Sequence, residues 1–468
     1  MKSNICIAAL AAVTLLGGLS SASAADLGGD CCADLEERIA ELEATTARKG
    51  NRKVSLTVYG QVNQAVMFWD DKTERNAYVV NNKTSTTYFG FEGAATISPE
   101  WRAGYLIEIE VGSANSDFVD QRFVPGPAGG FNFSGSGDDS SRIVVRHSNW
   151  WLESKRLGRV TVGQQSNATD NIAEMDLSRT SAISLSSVET WNEGFFLRSA
   201  NDGLSVFMPG LLFFGGANFS IVGDLWRGNF DGGRGNLIRY DSPVIGGFIF
   251  SAAWGEDDDW DVALRYAGSF NGVSIKAGIG YHDGQIIDSD SLLQAFGTGG
   301  GNPITGGNSV LPDHQELVGS FSVLHEPTGL FITAAGGKRE WDSNFLLNEK
   351  YAYVKGGLLR KWFPIGQTSI YGEYYRIWDV GITGTGLTVD INGTPTALDP
   401  LLSEKANTVG FGVVQHVDAA AMELYLAYRH YWANDITDVQ GLLGANTSAV
   451  SDHDIKYDVI MTGARIKF

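Results

Sequence analysis

Most of the polar groupings that could do chemistry in this chain fail on spacing. His147-Ser148 and His282-Asp283 are the candidates for hydrolysis. A hydrolase needs a nucleophile beside a base that is itself oriented by a third group. His282 and Asp283 are adjacent on a strand and so face opposite ways, and no catalytic residue is expected. Glu256, Asp257, Asp258, Asp259 and Asp261 form a dense acidic run. A calcium loop needs Gly at its sixth position and Glu at its twelfth. Counting from Asp257, Val262 and Gly268 stand there, so the run reads as an exposed turn and no metal site is expected. Gly232-Gly233-Arg234-Gly235 is too short for a phosphate loop and lacks its Lys, and no cofactor is expected. What remains is Asp170, Glu174 and Asp176, with Glu189 and Glu193 further on, in a stretch from about 166 to 233. That stretch is far longer than a connector needs to be, which suggests function or an inserted lid.

The elements that must position these carboxylates have a period of two. Between 54 and 68, Val54, Leu56, Val58, Val62, Val66 and Phe68 alternate with Ser55, Thr57, Tyr59, Gln61 and Asn63. One face suits lipid and the other suits water. After the Ser98-Pro99-Glu100 turn, Trp101, Ala103, Tyr105, Ile107, Ile109 and Val111 share a face. Arg102, Glu108 and Glu110 share the other, and two carboxylates on one strand face point to a wet interior. The unit recurs, giving strands at 54–68, 86–97, 101–112, 142–153, 158–165, 234–241, 247–255, 260–270, 273–282, 315–326, 329–339, 351–362, 367–378, 405–416, 420–431 and 457–468. These make 16, an even number, with short turns alternating with long loops, as a closed transmembrane barrel of antiparallel strands requires. Parity places Arg102, Glu108, Glu110, Arg265, Lys276, Glu423 and Arg429 on the inner wall. Arg146 and Arg239 are less fixed, since a bulge would flip them. Trp69, Trp101, Trp150, Trp151, Trp254, Trp260, Tyr281, Trp341, Trp362, Trp378 and Trp432 fall at strand ends, as aromatic girdles do at the two interfaces.

Composition agrees. Gly is abundant at 58 and Pro scarce at 11, which suits many strands with tight turns. The net charge of -19 repels a phosphate backbone, so nucleic acid is not an expected partner. It suits a path that prefers cations. Lys2, the apolar run Ile5–Leu16 and Ala22-Ser23-Ala24 read as a signal peptide over 1–24, with a mature chain from Ala25. The segment 25–50 carries Cys31 and Cys32, without metal-type spacing. It also holds a short helix candidate at 34–47, where Leu35, Ile39 and Leu42 form a coiled-coil-like stripe too short to be stable alone. The barrel then occupies 51–468, with 166–233 inside it.

Gly60-Gln61-Val62-Asn63 and Tyr88-Phe89-Gly90-Phe91-Glu92-Gly93 resemble the opening strands of general bacterial outer-membrane porins. Ile238-Arg239-Tyr240-Asp241-Ser242-Pro243, Leu264-Arg265-Tyr266-Ala267-Gly268 and the terminal Phe468 fit as well, and the Cys31-Cys32 segment is similar to that of α-proteobacterial porins in particular. The resemblance implies an all-β homotrimer of 16-stranded barrels in the outer membrane, among lipid and lipopolysaccharide. It implies passive diffusion of small hydrophilic solutes and ions, with the third loop folded inward. Asp170, Glu174 and Asp176 would then face basic residues across a constriction, setting a transverse field. Phe468 would be read by the barrel-insertion machinery. The 166–233 stretch departs from that pattern at Phe195, Phe196, Phe207, Met208 and Leu211 to Phe214, which make it unusually apolar. A substrate-specific pore is the alternative, but Tyr59 and Tyr425 are the inward aromatics and two do not make a stacked track.

Overall fold

Alternation of apolar and polar side chains has a single closed solution here. The computed structural model describes residues 54–121, 143–200, 222–256, 259–284, 313–342, 347–382, 388–391, 394–397, 402–439 and 450–468. The signal peptide, Cys31 and Cys32, the helix candidate at 34–47 and the apolar stretch 207–214 lie outside the described residues. The strands are β1 (Thr57–Asp70), β2 (Arg75–Asn81), β3 (Tyr88–Thr96), β4 (Trp101–Val111), β5 (Ile143–Ser154), β6 (Gly158–Ser166), β7 (Arg234–Asp241), β8 (Phe248–Trp254), β9 (Trp260–Phe270) and β10 (Val273–Gly284). They continue as β11 (His314–His325), β12 (Leu330–Trp341), β13 (Glu349–Phe363), β14 (Gly366–Ile382), β15 (Thr388–Ile391), β16 (Thr394–Ala397), β17 (Leu402–Val417), β18 (Met422–Val439) and β19 (Val450–Lys467). All pairings are antiparallel between neighbours, and β1 pairs with β19 to close the ring. β15 and β16 form a separate hairpin that the sequence reading lacks.

The ring contains 17 strands, but β2 and β3 pair with successive parts of β1. They are one stave, which leaves 16. The sequence reading gave this stave only 86–97. Here it extends back through Arg75–Asn81 and is interrupted by the 3-10 turn Lys83–Ser85. Asn82 caps that turn by accepting from the Thr84 amide. Its side-chain amide also donates to the carbonyl of Ala182 inside the barrel, at 3.0 Å. The polar run that reads as a loop is therefore an inward kink in a strand.

Closure removes every edge of the main sheet, which a hydrocarbon environment demands. The outward face is greasy: Val62 and Phe68 are 45% and 47% exposed, while Asn63 between them is 0%. No helix among the described residues is long and apolar enough to cross a membrane. The girdle assignment needs correction at three residues. Trp69 and Trp341 are buried on the inner face, and Trp151 lines the lumen between Arg102 and Arg159. Strand ends carry aromatic rings on both faces, so position along a strand does not say which way a ring points.

At one rim the turns are tight. Asn271 and Gly272, between β9 and β10, both have positive φ, 49° and 78°. That is the type I′ pair that matches the twist of a two-residue hairpin. A side chain at the second position costs about 1–2 kcal/mol. Gly272→Ala is expected to lower the thermal unfolding midpoint of detergent-solubilised protein, followed by the loss of β-sheet circular dichroism. An unchanged midpoint would contradict this account of the turn.

Candidate functional site

The segment after β6 turns into the barrel instead of away from it. Its neck is closed by the Asn167 amide donating to the Gly233 carbonyl at 3.0 Å. From there Ile172, Ile183, Trp191, Phe195, Trp226 and Phe230 are all buried, and they pack on inward residues of the wall. Phe195 sets its ring edge-on to Trp69 at 5.2 Å, Trp226 to Tyr431 at 5.7 Å and Phe230 to Tyr351 at 5.1 Å. This part of the inner wall is a dry core and not a wet surface. Its apolar inward residues, such as Met67 and Val459, are buried because the loop covers them.

The wall holds the loop chiefly by its main chain. Arg239 donates to the carbonyl of Asn167 and Arg265 to those of Ala168 and Asp170. Ser320 donates to Ile172, Asn63 and Asn82 to Ala182, and Lys355 to Ser184. Arg429 and Tyr431 both donate to the Val188 carbonyl, at 2.9 and 2.7 Å. Tyr457 donates to Phe196 and Tyr375 to Gly228. Two buried ion pairs sit among these contacts. Arg429 is 0% exposed, meets Glu373 at 2.7 Å and lies 4.3 Å over the Trp191 ring. Lys355 meets the loop's Asp176 at 3.1 Å.

The three loop carboxylates therefore have different surroundings. Asp176 is tied to Lys355 and also accepts from Thr333 and Ser178. Asp170 pairs with Arg234 at 3.5 Å and accepts from Ser166. Among the described residues, Glu174 accepts from neutral donors only, Ser187 at 3.1 Å and Asn229 at 3.3 Å. Burial and then the charge of Asp170 push the Glu174 carboxyl up to about 7. Asp231, beside them, is held well above the usual carboxylate range by burial and the Glu174 charge.

The open part of the lumen lies on the other side, against β3 to β7. A cavity of about 580 Å³ is bounded there by Arg102, Arg159 and Arg239, by Glu92 and Asp241, and by Trp151, Tyr105 and His147. Arg102 and Arg159 bracket Trp151, their guanidinium carbons 5.9 and 4.3 Å from its ring centre. Arg159 also pairs with Glu153 at 3.2 Å, and Arg239 with Asp241 at 2.7 Å.

Among the wall residues read from parity, Glu108 and Glu110 point inward but are 7% exposed, both paired with Arg146. Glu110 also meets Lys83. A register shift between Glu108 and Ile109 leaves Arg146 unpaired in the ladder, and it turns inward beside His147. Tyr59 donates to Glu108 at 2.9 Å. Glu423 is clasped by Arg465 and Lys467. Lys276 is exposed and shares its face with Gly278 and Gly280, which lie against Ile172 and Thr169 of the loop. Arg265 and Arg429 lie under the loop. Phe468 exchanges backbone hydrogen bonds with Gly60, its ring over that glycine. Sequence reasoning missed Lys355, Glu373 and Arg159, and set Trp151 in a girdle instead of the lumen. The same parity rule that placed Arg429 marks the first two, since each is a charge on the inward face of its strand.

The model of the Gram-negative porin family matches residues 8–308. No curated protein matches the sequence. Solved structures with similar architecture include OmpT, an outer membrane protein of Vibrio cholerae, at 12% identity and TM-score 0.49, over 90% of this chain and 99% of that one. An anion-selective porin from Comamonas acidovorans is similar at 15% identity and TM-score 0.49, over 89% and 100%. The outer membrane channel DcaP of Acinetobacter baumannii is similar at 9% identity and TM-score 0.48, over 90% and 100%.

Proposed function

Because this chain belongs to the Gram-negative porin family, a group of outer-membrane barrels, we propose that it is a homotrimeric, water-filled diffusion channel for small hydrophilic solutes and ions, preferring cations. The observation that carries this reading is the undivided role of the inward loop. It seals most of the inner wall and leaves a polar cavity bordered by charges of both signs. Opposed charges at a narrow point order water and sort solutes by charge as well as size. The excess of acidic residues, 54 against 35 basic, favours cations. We place the chain with the α-proteobacterial porins on its Cys31-Cys32 segment, and assign Phe468 as the insertion signal because this aromatic residue follows the closing strand and pairs with Gly60.

Purified protein in a planar bilayer is expected to give stepwise conductance, with a reversal potential of cationic sign under a KCl gradient. A protein that inserts but never conducts would sink the channel reading. Substrate-specific uptake is the second reading, favoured by the Arg102–Trp151–Arg159 stack, which suits a flat anionic solute. Liposome swelling separates the two, since a specific pore saturates with its solute and a diffusion pore does not.

Glu174 adds a pH dependence. Its folded-state pKa is raised to about 7, so folding favours the neutral acid. The stability it contributes is present below the ordinary carboxyl range and is lost as pH rises through about 7. The loop's negative charge moves the other way, growing over the same interval. Cation preference is therefore expected to fall between pH 8 and pH 6, and Glu174→Gln is expected to abolish that part of the change. A Glu174→Gln channel with the wild-type pH profile would show that this carboxyl does not face the path.

A further inference from the structure

At the long-loop rim of the barrel, a second group of side chains lies outside the lining of the cavity described above. His282 near the end of β10, and His314 and Glu316 at the start of β11, are all buried. One donor atom from each lies within 4.8 Å of the others. His282 Nδ1 is 3.3 Å from Glu316 Oε2. A tetrahedral zinc-class ion, with donors at 2.0–2.2 Å, holds those donors about 3.4 Å apart. His314 Nε2 stands 3.9 Å from the other oxygen of that carboxylate, Oε1, so a side-chain rotation is needed to close the set around Oε2.

The neighbours favour a metal over a simple ion pair. His282 Nε2 is 2.8 Å from Asp259 Oδ1. A carboxylate on the far nitrogen is the arrangement that fixes a metal-binding imidazole, presenting the lone pair of Nδ1. A protonated His282 held between two carboxylates would account for that residue but not for His314. His314 is 2% exposed and its Nδ1 has no hydrogen-bond partner among the described residues. Arg339 holds Glu316 through Oε1 at 2.5 Å, leaving Oε2 free to bind.

We propose that His282, His314 and Glu316 form a binding site for one divalent transition ion of the zinc class, with Asp259 orienting His282. Two imidazoles and one carboxylate select such ions over calcium or magnesium, which take oxygen donors. The bound ion would tie β10 to β11, and through Asp259 to the turn before β9. The proposal does not rest on the channel reading, since a barrel that passed no solute could hold the ion equally well.

The test is calorimetric titration of Zn²⁺ into the full-length protein in detergent, stripped with chelator and kept in excess Mg²⁺ to occupy surface carboxylates. One saturable Zn²⁺ per chain is expected. His282→Ala and His314→Ala are each expected to weaken it at least about tenfold, and Asp259→Asn by roughly 10- to 100-fold. Absence of saturable binding, or affinity unchanged in both histidine variants, overturns the site. Should those variants fail to fold, Co²⁺ added to the wild-type protein decides. The intense visible bands of four-coordinate Co²⁺ support the site, and the weak spectrum of the hydrated ion overturns it.

Discussion

Single-channel conductance is expected to rise severalfold, and to become noisy, when Arg429 is replaced by Met. Arg429 is wholly buried, holds Glu373 at 2.7 Å and donates to the Val188 carbonyl, while its guanidinium lies on Trp191. Removing one partner of a buried pair strands the other charge and costs about 3–5 kcal/mol. The barrel's own ladder is untouched by this loss, so the free energy falls on the docking of the loop. A loop freed over its central stretch no longer fills the lumen beside β14 and β18. Adding Glu373→Gln removes the stranded carboxylate and is expected to recover much of the thermal stability, but not the original conductance. Wild-type conductance in the Arg429→Met channel would show that the loop is held elsewhere and that this pair is dispensable to it.

The second large effect is on selectivity. Arg102 and Arg159 flank Trp151 on the wall of the open cavity. A unit charge about 4 Å from a passing ion is worth about 1 kcal/mol even in bulk water, roughly a fivefold change in local ion concentration. Replacing both with Gln removes two positive charges that face the path and bind no loop carbonyl among the described residues. Cation preference is expected to increase by several-fold in permeability ratio. The measurement belongs at about 0.1 M salt, where the screening length is about 10 Å. Unchanged selectivity would place the controlling charges outside this wall. Replacing Arg429 alters calibre, whereas replacing Arg102 and Arg159 alters charge at constant calibre.

Legibility from sequence follows the range of each interaction. Strand positions were legible because a barrel strand needs only its own alternation. The run 260–270 is β9 without change, and 457–468 lies inside β19 but for its last residue. The inward facing of Arg102, Arg429 and Glu423 was legible for the same reason. What covers them was not. Parity tells which face a side chain takes, but Arg429 is sealed and Arg102 is open because a loop some 240 residues from Arg429 in sequence lies over one and not the other. Asp176 reads as a free pore charge until Lys355 is seen 3.1 Å away. Trp69 and Trp341 read as interface residues because nothing local distinguishes a ring that meets lipid from one that meets Phe195 or His314. The bulge at Arg146 was foreseeable only as an ambiguity, and it brings Arg146 inward next to His147.

The wall's grip on loop carbonyls has a consequence for how such a protein changes over generations. A peptide oxygen is the same whichever residue carries it. Loop side chains that do not touch the wall are thus free to vary while the staves keep hold of the same trace. New filters can be tried on an old fastening, one mutation at a time, without refitting the vessel around them.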